Sequence, residues 1–465
     1  MLCKDNVFRG NKLLLVTGVI ALLVLLILSL RPKCDYLISN VSYCRGDVLS
    51  AEVVNIGITA GRISYVGSNR ISAKIIIPGD GLILTPGLID VNSCGWLSED
   101  AAKLKVMDGI TTFLNAHGDS FRADAKRIKA SRRLNYATSV GLIPVFANHL
   151  TQDQMFAALE DSLRYGAYTI SLSPEYTKET TPEIIRDLAE HFARQNVLFT
   201  FHLRYSSAAQ ELEGVQEAID CAVKGNPVHL LHITSTGAAF HPEEAKRMID
   251  AAVQSGMQIS YDFYPYTAWA SSIHRARFQG DWQERYQVDF SKVRILGEGE
   301  LTPRRFEELK NDSKDSMVIV ESIPQSTVDY FATNTTCPIG TDSEANYTTT
   351  HPRGAGSFTK FITDYVDTGK VEFGQAIHRF STLAAKQFSP YIPELAKRGE
   401  IKVGYAADLV LWDREKIKSN ANFFNPHQPS SGVVAVFVNG APVVLGGKPV
   451  ERVAPGKHLK GSWAK

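Results

Sequence analysis

The chain has 465 residues, 44% of them apolar, enough to bury a large core and to argue against a disordered polypeptide. Its 50 basic and 49 acidic side chains leave a formal net charge of +1. That balance offers no field for gripping a polyanion, no basic stripe is present, and nucleic acid is disfavoured as a partner.

The first 33 residues stand apart. Leu13 to Leu30 is an uninterrupted uncharged stretch, flanked by Lys4, Arg9 and Lys12 before it and by Arg31 and Lys33 after it, just long enough to span a bilayer as a helix. Arg31-Pro32-Lys33 follows Leu30 directly, without the small residues of a cleavage site, so an uncleaved single-pass anchor is predicted over 1–33. Basic residues slightly favour its N-terminal side, which predicts a body on the exported face of the membrane. Six cysteines are scattered without C-x-x-C spacing, so no structural zinc knuckle is indicated. Cys34 and Cys44 could pair in an exported body, but free thiols are the default reading.

From Val53 to Ile77 the text alternates as short strands punctuated by turns, and a second β-rich segment returns at Ala407-Asp408-Leu409-Val410-Leu411-Trp412 and Val433 to Gly440. Two such segments at opposite ends can pair into one β domain, 34–84 with 400–465, leaving 85–399 as an inserted unit. Within that unit short apolar runs alternate with amphipathic stretches. The runs include Thr111-Thr112-Phe113-Leu114, Leu142-Ile143-Pro144-Val145-Phe146, Tyr168-Thr169-Ile170-Ser171, Leu198-Phe199-Thr200-Phe201, Val228-His229-Leu230-Leu231 and Gln258-Ile259-Ser260-Tyr261. Repeats of this kind predict an α/β fold with parallel strands, a (β/α)8 TIM-type barrel. The rhythm breaks at about 271–336, where a long irregular insertion is expected to act as a lid or substrate loop.

In a barrel the chemistry sits where strands run into the following loops. His117, His202 and His232 each fall just after an apolar run. Neutral imidazoles from three strands make a tetrahedral zinc site with one position open for water, whereas any one of them alone reads as a structural histidine. Asp342, in Gly340-Thr341-Asp342-Ser343, ends a late apolar segment; a carboxylate there can serve as general base, or as an Asx turn if no metal site exists.

These residues resemble a known family. Leu84-Thr85-Pro86-Gly87-Leu88-Ile89-Asp90 and the segment Gly399 to Val410 are similar to the sequences by which amidohydrolases leave and re-enter their β domain. Asp262-Phe263-Tyr264-Pro265-Tyr266-Thr267-Ala268 and His351-Pro352-Arg353-Gly354-Ala355-Gly356 narrow the resemblance to the D-aminoacylase branch, which hydrolyses N-acyl-D-amino acids. The resemblance covers nearly everything after residue 50. It implies a barrel inserted in a small β-sandwich, a bound zinc ion and an acylated amino-acid substrate. It assigns His202 and His232 as metal ligands and Asp342 as the catalytic carboxylate, and gives Arg204 the substrate carboxylate. Tyr266 and Arg353 lie in matched motifs, as substrate contacts or as loop packing. His149, in Ala147-Asn148-His149, is read as a substrate contact from strand 3.

Two departures from that family stand out. Its strand 1 ends in His-x-His, where this chain has Asn92 and Cys94, and His117 stands at the place of a metal-binding cysteine. One zinc per chain, on His117, His202 and His232, is therefore expected, with Cys94 a possible further ligand or a bystander thiol. The expected function is a membrane-anchored zinc amidohydrolase acting on an N-acyl amino acid. The alternative is an inactive barrel used as a binding module. An enzyme of the hydantoinase type is disfavoured, because Ser171-Leu172-Ser173-Pro174-Glu175 offers no lysine to bridge two metals.

Overall fold

A computed structural model describes residues 34–95, 97–118, 132–296, 298–344 and 351–464. Among them no helix is long and apolar enough to cross a membrane; the anchor expected over 1–33 lies outside the described residues. Cys34 and Cys44 are both free and buried.

The two ends of the chain build one nine-stranded sheet. Its seam is the antiparallel pairing of Ile83–Pro86 with Leu409–Trp412, in the register Ile83 to Trp412 and Pro86 to Leu409. Alternation along the strands sends Ile56, Ile58, Leu84, Leu409, Leu411 and Phe437 into a common core. Gly440, at φ +77°, turns so close to Gly61 that a Cβ would lie 2.6 Å from the Gly61 Cα, so the two hairpins meet only as glycines. The strands of the expected β-sandwich domain are linked by hydrogen bonds in one continuous, forked path. Cys34–Arg45 pairs with Ala73–Pro78 along its first half and with Ile83–Pro86 near its end, because irregularities after Ile38 and Ser42 re-aim the strand.

Between these ends the strands run parallel. Ser343–Glu344, Leu88–Cys94, Ile110–Asn115 and Asn135–Thr138 pair in that order, and Val140–Gly141, Thr169–Leu172, Leu198–Phe201, Val228–Leu230 and Ile259–Tyr261 follow in a second sheet. A parallel bridge from Phe263 to Ile339 joins the two. Most of these strands are buried throughout, as parallel strands covered on both faces are. Three of the intervening helices begin where the sequence supplies caps. Ser98 accepts the Ala101 N–H before Glu99–Met107, Thr151 closes a capping box on Gln154 before Gln152–Tyr165, and Thr181 precedes Pro182 at the start of Pro182–His191.

Two sequence expectations change. The run Leu142 to Phe146 is not a strand: Ile143–Ala147 is helical, since Pro144 has no N–H to give a ladder and its φ suits a first helical turn. The strand of that unit is Asn135–Thr138, which has no apolar run. The insertion is not irregular either. Trp269–Ser272, Met317–Val320, Val293–Ile295 and Gly299–Glu300 form an antiparallel sheet over a core of Trp269, Phe278, Trp282, Tyr286 and Phe306.

Candidate metal centre

Four side chains converge beyond the ends of the parallel strands. His117, His202, His232 and Asp342 follow the strands or runs that the sequence marked, and the last two hold left-handed backbone conformations, φ 34° at His232 and φ 47° at Asp342. Non-glycine residues rarely adopt that region, and its cost is borne where neighbouring structure fixes the chain. Here the His232 N–H donates to Asp262 Oδ1 at 3.0 Å, and the Asp342 N–H donates to the Asn92 carbonyl at 2.8 Å.

The donor atoms divide into two groups. His202 Nδ1 lies 3.1 Å from His232 Nε2. The outer nitrogen of each ring is committed elsewhere, His202 Nε2 to Glu175 Oε2 at 2.6 Å and His232 Nδ1 to Ser235 Oγ at 3.1 Å. Glu175 takes the His202 Nε2 proton. The Ser235 hydroxyl is aimed at the His232 carbonyl and so accepts from Nδ1. In neutral rings held in these tautomers, two imidazole lone pairs face one another, an arrangement that a metal cation relieves. Burial lowers the His232 pKa well below its ordinary value and brings His117 down to about 4, so both rings are neutral, as metal ligands must be. These residues fit a metal ion.

His117 belongs to the second group. Its ring lies 5.6 Å from that of His232, but its Nε2 is 3.0 Å from Asn92 Oδ1 and 3.5 Å from Asp342 Oδ1. The expected three-histidine set is thus a histidine pair plus His117, divided by the direction in which the nitrogens point. Cys94 reaches the same carboxylate, its Sγ 3.4 Å from Asp342 Oδ1. Burial and then the Asp342 charge push the Cys94 thiol well up.

Asp342 is the hub. Its Oδ1 faces Cys94, His117 and, at 3.8 Å, His232 Nε2, while its Oδ2 pairs with Arg353 Nη1 at 2.8 Å. Burial raises its pKa, but Arg353 and the surrounding imidazoles outweigh burial and hold the carboxyl well below the usual range. Arg353, buried with it, is placed against this carboxylate.

Three other expectations are corrected. Arg204 does not reach for substrate: its Nε and Nη2 make a fork on Glu217 at 2.9–3.1 Å, and Nη2 also donates to the Thr180 carbonyl. A guanidinium spent on a carboxylate has little left for another. Tyr266 is buried and packs on His351 and Phe423, the loop-packing role. His149 stands in an exposed turn after Ile143–Ala147, with φ 51°, because the helix replaces the strand that would have aimed it.

The sequence also left residues unmarked. Glu175 anchors His202 and is itself held by Arg277 Nε at 2.8 Å, Ser206 Oγ at 2.7 Å and Tyr286 OH at 3.2 Å. Burial raises its pKa, and Arg277 and His202 more than reverse that. Its position just beyond the Thr169–Leu172 strand was a signal that could have been read; Arg277 and Tyr286, deep in the insertion, carried none. Tyr176 packs on His202, ring centroids 4.5 Å apart, and the exposed Arg275 guanidinium lies 6.0 Å from the Tyr176 ring.

The fold that carries this centre is the α/β fold seen in solved D-aminoacylase structures. No family model matches the sequence. The chain is 26% identical over 496 aligned positions to N-acyl-D-aspartate deacylase of Alcaligenes xylosoxydans xylosoxydans, across 92% of this chain and 96% of that protein. Its structure is similar to N-acyl-D-glutamate deacylase of Bordetella bronchiseptica, solved with zinc and a phosphonate mimic of the tetrahedral intermediate, at a TM-score of 0.78, 22% identity and coverage of 92% and 100% of the two chains. It is likewise similar, at 0.77 and 20% identity over the same shares, to a D-aminoacylase whose binuclear centre is described by one-metal activation and second-metal attenuation. The resemblance read from the motifs is thus shown: the relatives are D-aminoacylases and N-acyl-D-amino-acid deacylases.

Proposed function

We propose that this protein is a metal-dependent amidohydrolase that cleaves the acyl–nitrogen bond of an N-acyl-D-amino acid. The observation that carries the reading is the pair of facing lone pairs on His202 and His232 beside a buried, ionised Asp342. The deacylase relatives support the same substrate class.

His202 and His232 would hold the metal, with Glu175 and Ser235 fixing the tautomer of each. A bound zinc ion polarises the scissile carbonyl and lowers the pKa of water. Asp342 Oδ1 accepts a proton from the attacking water and returns it to the departing nitrogen as the C–N bond breaks, so the products are a carboxylic acid and an amine. Arg353, paired to Oδ2, keeps the carboxyl ionised and leaves Oδ1 free for that transfer. Arg275, on the rim beside Tyr176, is the cation we assign to the substrate carboxylate in place of Arg204.

Three further points belong to this reading. The two runs of parallel strands are taken as halves of one (β/α)8 barrel, supported by the Phe263–Ile339 bridge. The apolar stretch 13–30 is taken as a membrane anchor, with the body on the exported side; carbonate extraction and protease protection of intact cells test both. Zinc is taken as the metal.

Hydrolysis of N-acetyl-D-aspartate, D-glutamate and D-methionine by the purified, zinc-supplied chain tests the activity. Release of free amino acid from a D substrate, lost in His202→Ala and Asp342→Asn, is expected. A folded, metal-loaded protein inert towards every N-acyl-D-amino acid would remove the proposal.

A further inference from the structure

A chain of buried hydrogen bonds leads from the metal centre to a cavity between the parallel strands. The His232 N–H donates to Asp262 Oδ1, and the same oxygen accepts from Asn92 Nδ2 at 3.3 Å, which turns Asn92 Oδ1 towards His117 Nε2 at 3.0 Å. The other oxygen, Asp262 Oδ2, lies 2.9 Å from His229 Nε2. With His229 neutral and its Nε2 proton on Asp262, Nδ1 is left to accept. Two donors reach it, the Ser260 hydroxyl at 2.8 Å and the Gln387 amide Nε2 at 3.1 Å. Asp262 and His229 are both fully buried, so these partners set their positions.

Ser260 and Gln387 also line a cavity of about 400 Å³, within the range of roughly 300–1,000 Å³ that small-molecule sites occupy. The second parallel sheet ends at Ile259–Tyr261, which meets the next segment at the Phe263–Ile339 bridge. Before that bridge the two segments part. Ile259, Ser260 and Tyr261 are half-buried, where Thr169–Leu172, Leu198–Phe201 and Val228–Leu230 are buried throughout. The lining is mostly hydroxyls and amides, with one charge of each sign, Lys246 and Asp250, paired one turn apart on the helix Pro242–Gln254. A ligand that answers both charges is a zwitterion. A free α-amino acid offers a carboxylate to Lys246 and an ammonium to Asp250, whereas an N-acyl amino acid has no ammonium and leaves Asp250 unanswered.

We propose that this cavity binds a free α-amino acid as its zwitterion, and that occupancy weakens the hold of His232 on the metal. The ammonium pairs with Asp250, and the carboxylate pairs with Lys246 and draws the Gln387 amide away from His229 Nδ1, because a charged acceptor makes the stronger hydrogen bond. His229 then keeps one donor in place of two. Asp262 is fixed less firmly, and the left-handed backbone of His232, at φ 34°, loses part of its support. The effect is reciprocal, so metal on His232 weakens amino-acid binding by the same factor. The inference rests on the proposed reading for the metal on His232 and for the ligand being the amine product, which would restrain its own formation from outside the mouth.

The full-length chain, purified in detergent and loaded with zinc, is titrated with free D-methionine while a chromogenic chelator reports zinc affinity. Expected is a fall of about fivefold at saturation, and calorimetry should find D-methionine bound about fivefold more weakly by the zinc-loaded chain than by the stripped one. The double variant Lys246→Ala, Asp250→Ala should lose both effects while keeping the circular dichroism of the parent. Gln387→Met should still bind D-methionine but no longer pass the effect to zinc. Zinc affinity indifferent to D-methionine overturns the proposal. So does a fall that persists in the double variant, which would put the amino acid on the metal itself, and so does a chain that binds no zinc. An effect that depends on Lys246 and Asp250 in a chain that hydrolyses no N-acyl-D-amino acid upholds this site while the proposed activity fails. Hydrolysis without the effect does the reverse.

Discussion

His202 Nδ1 and His232 Nε2 face each other at 3.1 Å with the outer nitrogen of each ring already engaged. With both rings neutral, neither atom has a proton to offer the other, and the pair presents two lone pairs to a single point between the strands. What fixes that pair is Glu175, which spends one oxygen on His202 and is gripped by Arg277 and Tyr286 from the insertion.

Weakening that grip should loosen the metal without unfolding the protein. Glu175→Gln is expected to lower zinc affinity about 10- to 100-fold, the usual penalty for removing a carboxylate behind a histidine ligand. Competition with a chromogenic chelator measures it; unchanged affinity would show that His202 orients itself.

Two arginines should part company. Arg275→Ala is expected to raise KM for an N-acyl-D-amino acid about tenfold with little change in kcat, as the loss of a contact worth about 1.4 kcal/mol in ground and transition states alike does. Arg204→Ala should leave KM alone and cost roughly 1–3 kcal/mol of stability, since Glu217 keeps its charge at about 16% exposure with no partner. Steady-state kinetics and urea titrations on both variants decide whether the roles are assigned correctly.

Beneath the metal centre, Lys105 from Glu99–Met107 pairs with Asp90 at 2.6 Å, both almost wholly buried, and donates to Ser343 Oγ at 2.8 Å. It ties the first parallel strand to the last. Lys105→Met should cost about 3–5 kcal/mol because Asp90 is left charged and buried, and adding Asp90→Leu should restore part of that loss. A double variant less stable than Lys105→Met would mean that the pair is needed for more than mutual neutralisation.

Asp108 gives a pH signature away from the metal. It accepts from the Phe358 and Thr359 N–H groups and from the Thr359 and Ser430 hydroxyls, where Gly356 breaks the helix Arg353–Phe361 and leaves those N–H groups free to donate. Burial outweighs these four donors and pushes its carboxyl from 3.8 to about 6. A raised acid pKa means that the folded state binds the proton more tightly than the unfolded one. The stability Asp108 contributes is therefore full below about 3.8 and is lost as pH rises through about 6. Relative to Asp108→Asn, the parent should gain stability as pH falls from 7.5 to 5; a constant difference across that range would mean that the donors, not burial, set this pKa.

Much of the molecule was legible in the chain. Apolar runs followed by a histidine or an aspartate located His117, His202, His232 and Asp342, because a parallel strand must be apolar throughout and delivers its first polar residue into the loop beyond it. The paired β segments were visible for a similar reason, since alternation survives in sequence however far apart the partners lie. His149 was misread because Leu142 to Phe146 is as apolar as a strand, and only Pro144 signalled a helix. Periodicity places a residue at a strand end but does not say which way its donor atom turns. That direction came from partners distant in sequence: Glu175 met by Arg277, 102 residues on, and Asn92 turned by Asp262. Such contacts depend on two segments arriving at one place, and no local pattern records them, so the division of the histidines into a pair and a Cys94–His117–Asp342 cluster is a property of the folded chain.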